Sequence, residues 1–145
     1  TPKDYYYLLL GQYAQTSRLI DSSANRGLVV ADTNSLVTKA YYDYYLKESP
    51  VQDEETDTFD NLFASILSKE KWDLILFAEP VGTYVNDGFR DMSMADEAIR
   101  SDFSSHLKRL KEQCLAHIPT VYLAGSYLDN YQAAKEAIDM IYQAD

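Results

Sequence analysis

Two acidic positions, two arginines and a glycine-bearing turn carry the chemistry this chain can offer. Asp32 closes the apolar run Leu28-Val29-Val30-Ala31, and a carboxylate at the tip of a buried strand is where nucleoside-triphosphate enzymes hold magnesium, usually through water. The same Asp32 is also placed to cap the helix that follows, and the residue pattern leaves both roles open. Farther on, Asp87-Gly88-Phe89-Arg90 puts a turn glycine between an acid and a base. In a loop above a phosphate site Arg90 would stabilise charge developing on a transferred phosphoryl group; on a plain surface Asp87 and Arg90 would form an ion pair worth little. Arg100, on the next helix, is either a second phosphate ligand or a solvated charge, and Gly125-Ser126-Tyr127 ends a third apolar run. His106 and His117 have no third ligand at a useful spacing, so they read as exposed or capping side chains rather than a metal site. The sequence contains no Ser/His/Asp triad, nucleophile elbow or dinucleotide GxGxxG.

The elements that must position these residues follow from periodicity. Helical spacing predicts helices from Asp4 to Asn25, with Tyr6, Leu9, Leu10, Tyr13, Ala14, Ser17 and Ile20 inward, and from Leu36 to Leu46, capped by Thr33, Asn34 or Ser35. An acid-rich loop, Lys47 to Asp57, leads to a helix from Thr58 to Ser68. The run Leu74 to Ala78 reads as a buried strand feeding a polar loop through Glu79-Pro80, and the stretch Trp72 to Arg90 is the feature the rest surrounds. A helix from Asp96 to Leu115 buries Ile99, Phe103, Leu107 and Leu110 and exposes Arg100, Lys108, Arg109 and Lys111. Thr120 to Ala124 is the third strand, and Tyr131 to Ala144 the closing helix. Short apolar strands alternating with helices predict an α/β fold, a parallel sheet with helices on both faces. Most of the thirteen tyrosines fall at core-facing helical positions.

Composition narrows the class. A length of 145 residues suits one domain, and a formal charge of −10 argues against a nucleic-acid partner. The single cysteine, Cys114, excludes an intramolecular disulfide and a cysteine-built zinc site and reads as a packed helical thiol in a reducing compartment. With no membrane-length apolar run and no signal-peptide layout, the expectation is a soluble, cytoplasmic protein. The start at Thr1, without Met, suggests a piece of a longer polypeptide. One absence is informative: a phosphate-transferring α/β domain should open with a strand and a loop of the form GxxxxGK followed by Ser or Thr, and none of these residues supplies it.

Taken together, Gly11-Gln12, Leu28 to Asn34 with Thr38, Trp72 to Leu76, Val85 to Arg90, Arg100 with Phe103, and Ser126-Tyr127-Leu128-Asp129 resemble the ribosylnicotinamide kinase domain of NadR-type proteins, in order and spacing from about Asp4 to Ile141. The resemblance implies a P-loop kinase that moves the γ-phosphoryl of ATP to the 5'-hydroxyl of nicotinamide riboside, forming nicotinamide mononucleotide with Mg2+, often downstream of a nucleotidyltransferase domain. It implies that Asp32 takes the magnesium (Walker B) role, that Asp87 and Arg90 belong to the lid, and that Arg100 and Gly125-Ser126-Tyr127 contact the nucleotide. Asn34, Asn86 and Asn130 depart from it, each standing where the family carries a charged residue. A non-catalytic module sensing NAD metabolites, or another nucleoside or nucleotide kinase, is the alternative.

The resemblance begins after the family's first two strands, so residues 1–145 read as the C-terminal two-thirds of one P-loop kinase domain, inactive or nearly so alone. The family's P-loop strand would lie between the strand ending in Asp32 and the strand opening at Asp73. Without it, those two strands are expected either to pair directly or to recruit a second copy of the chain at their open edges. The lid residues Asn86 to Ala95 are expected to be mobile or displaced.

Overall fold

The computed structural model describes residues 1–22, 27–46, 54–80 and 96–143. It is a helix-rich α/β chain with a small parallel sheet, divided into two compact units, Thr1–Glu70 and Lys71–Asp145.

The first unit is helical: α1 (Pro2–Ser22), α2 (Ser35–Leu46) and α3 (Glu54–Lys69). Its core forms where the apolar stripes of the three helices meet, at Leu9, Leu36, Ala40, Tyr42, Phe59, Phe63 and Ile66. Tyr42 stacks on Phe59 with ring centroids 3.9 Å apart, and Tyr5 meets Tyr42 edge-on at 5.8 Å. Helix α3 starts earlier than its apolar pattern predicts. Glu54, Glu55 and Asp57, expected in a loop, fill its first turn, where the unpaired N–H groups and the helix dipole favour carboxylates. The inner face expected of α1 is narrower than its spacing suggests: Leu9 is buried, whereas Leu10 and Ile20 are exposed. The tyrosines depart in the same way, since among the described residues only Tyr42 is buried.

Lys39 ties α2 to α3, its ammonium 2.8 Å from Asp43 and 3.4 Å from Asp60, and 5.1 Å from the centre of the Tyr42 ring. Burial, the largest single influence, lowers its pKa, but the two carboxylates together outweigh it and hold the group above the ordinary lysine value of 10.5. A raised folded-state pKa stabilises the unit fully below the unfolded value, and that contribution disappears as pH climbs through the folded value. Urea midpoints measured in alkali, from just below that ordinary value upward, should therefore fall more steeply for the native chain than for Lys39→Met.

The run Leu28–Ala31 does not form the predicted strand. Among the described residues the sheet comprises β1 (Ile75–Ala78) and β2 (Thr120–Leu123), and the run is in neither, its Leu28 and Val30 48% and 69% exposed. A strand exists only by hydrogen-bonding a neighbour. The neighbour that the resemblance supplies for this run, the P-loop strand, has no counterpart among these residues, so the apolar pattern is left without a partner.

Among the described residues the second unit runs β-α-β-α, with α4 (Glu97–Cys114) between the strands and α5 (Tyr127–Gln143) after them. The strands run parallel, Ile75 opposite Thr120 through Ala78 opposite Leu123. Main-chain bonds extend the ladder at both ends, Ile75 N–H to Pro119 O and Glu79 N–H to Leu123 O, each 2.9 Å. Phe77, Leu110, Leu115 and Ile118 form the core beneath. Asp96 caps α4, its side chain accepting from the N–H groups of Ala98 and Ile99. Lys111 departs from expectation: only 6% exposed, it reaches Glu112 at 3.0 Å and sits 6.0 Å from the Tyr122 ring, because its long stem covers apolar surface while its charge finds a partner at the edge. Cys114 is half-buried near the end of the helix. Among the described residues no helix is long and apolar enough to cross a membrane.

Candidate functional site

In the first unit, the turn after the unpaired run is built around Asp32. Thr33 adopts φ 68°, a left-handed conformation that costs a non-glycine residue roughly 1–3 kcal/mol and persists only where neighbours enforce it. The enforcing group is Gln12 of α1. With its carboxamide turned so that both ends are satisfied, the oxygen accepts from Thr33 Oγ1 at 2.9 Å, while the nitrogen donates to Thr38 Oγ1 at 3.2 Å and to the Asn34 carbonyl at 3.3 Å. The Asn34 side chain accepts from Leu36 N–H at 3.0 Å, and its carbonyl receives the first turn of α2. Beside them, buried Ser35 donates to Glu70 at 2.7 Å.

This network settles which residue caps α2. Capping falls to Asn34, and Asp32 keeps an exposed side chain. Asn34→Ala should lower the chain's stability by about 1 kcal/mol, the usual cost of a lost side-chain cap, seen as a lower urea midpoint with unchanged slope.

In the second unit, the parallel register brings the ends of β1 and β2 to one sheet edge. There Gly125 approaches α5 so closely that a Cβ would lie 3.1 Å from Asp129 Cβ. Gly125 N–H donates to Asn130 Oδ1 at 2.9 Å, Ser126 Oγ accepts from Asp129 N–H at 3.2 Å, and Ser126 O accepts from Asn130 N–H at 2.9 Å. Ser126 therefore starts α5, one turn earlier than periodicity suggests, and Asn130, which stands where the resemblance would place Arg, closes the turn instead. Tyr127 projects beside it, 92% exposed.

At the β1 end, Glu79 and Pro80 face the first turns of α4 across a cleft of about 230 Å³. Arg100 lines it, half-buried rather than solvated. Lys108 bridges the cleft to Glu79 at 2.5 Å, with its ammonium 5.7 Å from the Phe77 ring and 5.4 Å from the Tyr122 ring. Ser101, Ser104 and Ser105 complete the α4 side. Sequence reading missed Ser104 and took Lys108 only as an exposed charge, while Glu79 entered only as the head of the loop after β1. Their signal was available, because Glu97, Arg100, Ser101, Ser104, Ser105 and Lys108 recur at the three- and four-residue spacing of a helix stripe that carries no apolar side chain.

The remaining expectations divide plainly. Asp32 stands in the first unit, Arg100 and Gly125-Ser126-Tyr127 in the second. Asp87 and Arg90, with the whole lid stretch Asn86 to Ala95, lie outside the described residues. Among the described residues no three His, Cys, Asp or Glu side chains gather into a metal-binding group. A lone exposed carboxylate nonetheless fits magnesium, which keeps most of its waters and takes one or two carboxylates together with substrate phosphates.

Against protein-family models, the one described as an AAA domain matches residues 4–128. No curated protein matches the chain, and no solved structure does.

Proposed function

Because this chain belongs to the AAA domain family, a P-loop NTPase-like family, we propose that it forms part of a kinase that transfers the γ-phosphoryl of ATP to the 5'-hydroxyl of nicotinamide riboside. The observation that carries this reading is the turn at Asp32. Gln12 braces a strained Thr33 and Asn34 takes over the cap, and the product of that arrangement is an exposed carboxylate. Strain held in place by a dedicated network belongs to sites that must present a group in one position.

The chain's own residues divide the work. Asp32 would hold magnesium through its waters, and such an ion would supply neutralisation of phosphate charge. Arg100 would contact a phosphate, and Tyr127 offers an exposed ring on which a purine can stack beside the Gly125 turn. Arg90, in the lid, would stabilise the charge that develops on the transferred group, with Asp87 aligning it. The phosphate loop would come from residues outside these 145, which is why the chain alone should turn over little.

Asn130 favours a second reading. Its amide is committed to Gly125 N–H where a family arginine would reach the ligand, as expected of a kinase scaffold kept for sensing NAD metabolites without catalysis. Calorimetry and turnover on the polypeptide that carries these residues separate the two. Kinase function gives ATP- and magnesium-dependent consumption of nicotinamide riboside, whereas metabolite binding with no phosphorylated product supports the sensor.

A further inference from the structure

The α4 cleft has a property that the kinase reading does not use. Ser104 is only 9% exposed, lines the cleft, and its Oγ makes no hydrogen bond among the described residues. A buried hydroxyl without a partner destabilises a fold and is seldom retained, since alanine fits the same helical position at no such cost. The partner Ser104 lacks must come from the cleft, whose volume of about 230 Å³ is several times that of one water.

We propose that this cleft binds one phosphoryl group of a phosphate monoester, with Ser104 donating to it between Arg100 and Lys108. The donors match that ligand. Three hydroxyls, a guanidinium and an ammonium line one stripe of α4 from Arg100 to Lys108, and all of them can donate to phosphate oxygens. The acidic groups limit its size. Glu79 already pairs with Lys108, and Glu97 is exposed, so the described lining residues carry two cations and two carboxylates. A cleft whose described lining residues carry no surplus positive charge, in a chain of net charge −10, suits a single ester phosphate held by hydrogen bonds better than a free polyphosphate. The Lys108–Glu79 bridge holds α4 against the end of β1 and sets the width of the opening. This inference deepens the kinase reading, for which the monoester is the phosphorylated riboside, but it rests on that reading only for the source of the ligand.

The test titrates the 145-residue chain with ribose 5-phosphate, ribose and pyrophosphate while amide shifts are followed by NMR, and repeats the titration on Ser104→Ala and Ser104→Thr. Ribose 5-phosphate should move the Ser101–Ser105 amides, and ribose should not. Pyrophosphate should bind more weakly than the monoester. Ser104→Ala should weaken the monoester at least fivefold while raising the thermal midpoint of the ligand-free chain, and Ser104→Thr should keep the affinity within about twofold. Opposite effects on binding and stability are not expected of a structural serine. Equal response to ribose, tighter binding of pyrophosphate, or unchanged affinity in Ser104→Ala would each overturn the proposal. Monoester binding lost in Ser104→Ala, in a polypeptide that does not phosphorylate nicotinamide riboside, would leave the cleft standing and remove the kinase reading. Turnover with no Ser104-dependent binding would do the reverse.

Discussion

Asp32→Ala, made in the polypeptide that carries these residues, lowers kcat for phosphoryl transfer from ATP by about 10²-fold or more, the scale of losing one preorganised electrostatic group from an active site. Under the proposed role, in which the carboxylate holds the ion, the loss should be partly relieved by raising the magnesium concentration. Asn34→Ala supplies the control. It sits two residues away and removes the α2 cap, so it should reduce stability without an effect of that size on turnover. The contrast is sharp because the hydrogen bonds around the turn assign the cap to Asn34 and leave Asp32 exposed. If Asp32→Ala and Asn34→Ala behaved alike, Asp32 would be a structural residue of the turn. Arg90→Ala should cost about 10³-fold if it serves as the arginine that stabilises transferred-phosphoryl charge.

Phe59→Ala should be the most destabilising single change in the first unit, by about 3–5 kcal/mol, enough to abolish cooperative unfolding of a three-helix unit with ordinary marginal stability. Phe59 is fully buried and stacked at 3.9 Å on Tyr42, which is also the ring beside the Lys39 ammonium. Truncation therefore opens a cavity and removes a stacking partner from the cluster joining α2 to α3. Urea denaturation followed by circular dichroism reads the effect. A loss below 1 kcal/mol would mean that this cluster is not the core of the unit.

How much of this could be seen in the sequence depends on whether a signal was local. The helices were legible because each carries its stripe of apolar residues, and β1 and β2 were legible as short apolar runs ending in polar turns. Leu28–Ala31 has the same local signal as β1 and forms no strand, because strand formation depends on a partner that periodicity does not encode. The acids from Glu54 to Asp57 read as loop because charge suggests solvent, yet a helix N-terminus draws the same residues.

The site was legible only in part. Asp32, Arg100 and the Gly125 turn were candidates from their places after apolar runs and near a helix start; the fold leaves Asp32 after a run that forms no strand and places the other two in the second unit. Asp32's competition with Asn34 for the cap is decided only in the fold, through the reach of Gln12 across a separation of more than twenty residues. Asn130 was visible as a departure from the family pattern, but its role in closing the Gly125 turn was not. The α4 serines were passed over because a helical stripe is usually sought by its apolar members, and this stripe has none.

The most direct measurement of the central claim is phosphorylation of nicotinamide riboside by the polypeptide containing these residues, with ATP and magnesium, in competition with adenosine, cytidine and uridine. The account predicts that nicotinamide mononucleotide is the main product, with the highest kcat/KM of the set. Preference for another nucleoside would move the chain to a different kinase specificity, and the absence of any phosphorylated product would contradict the account.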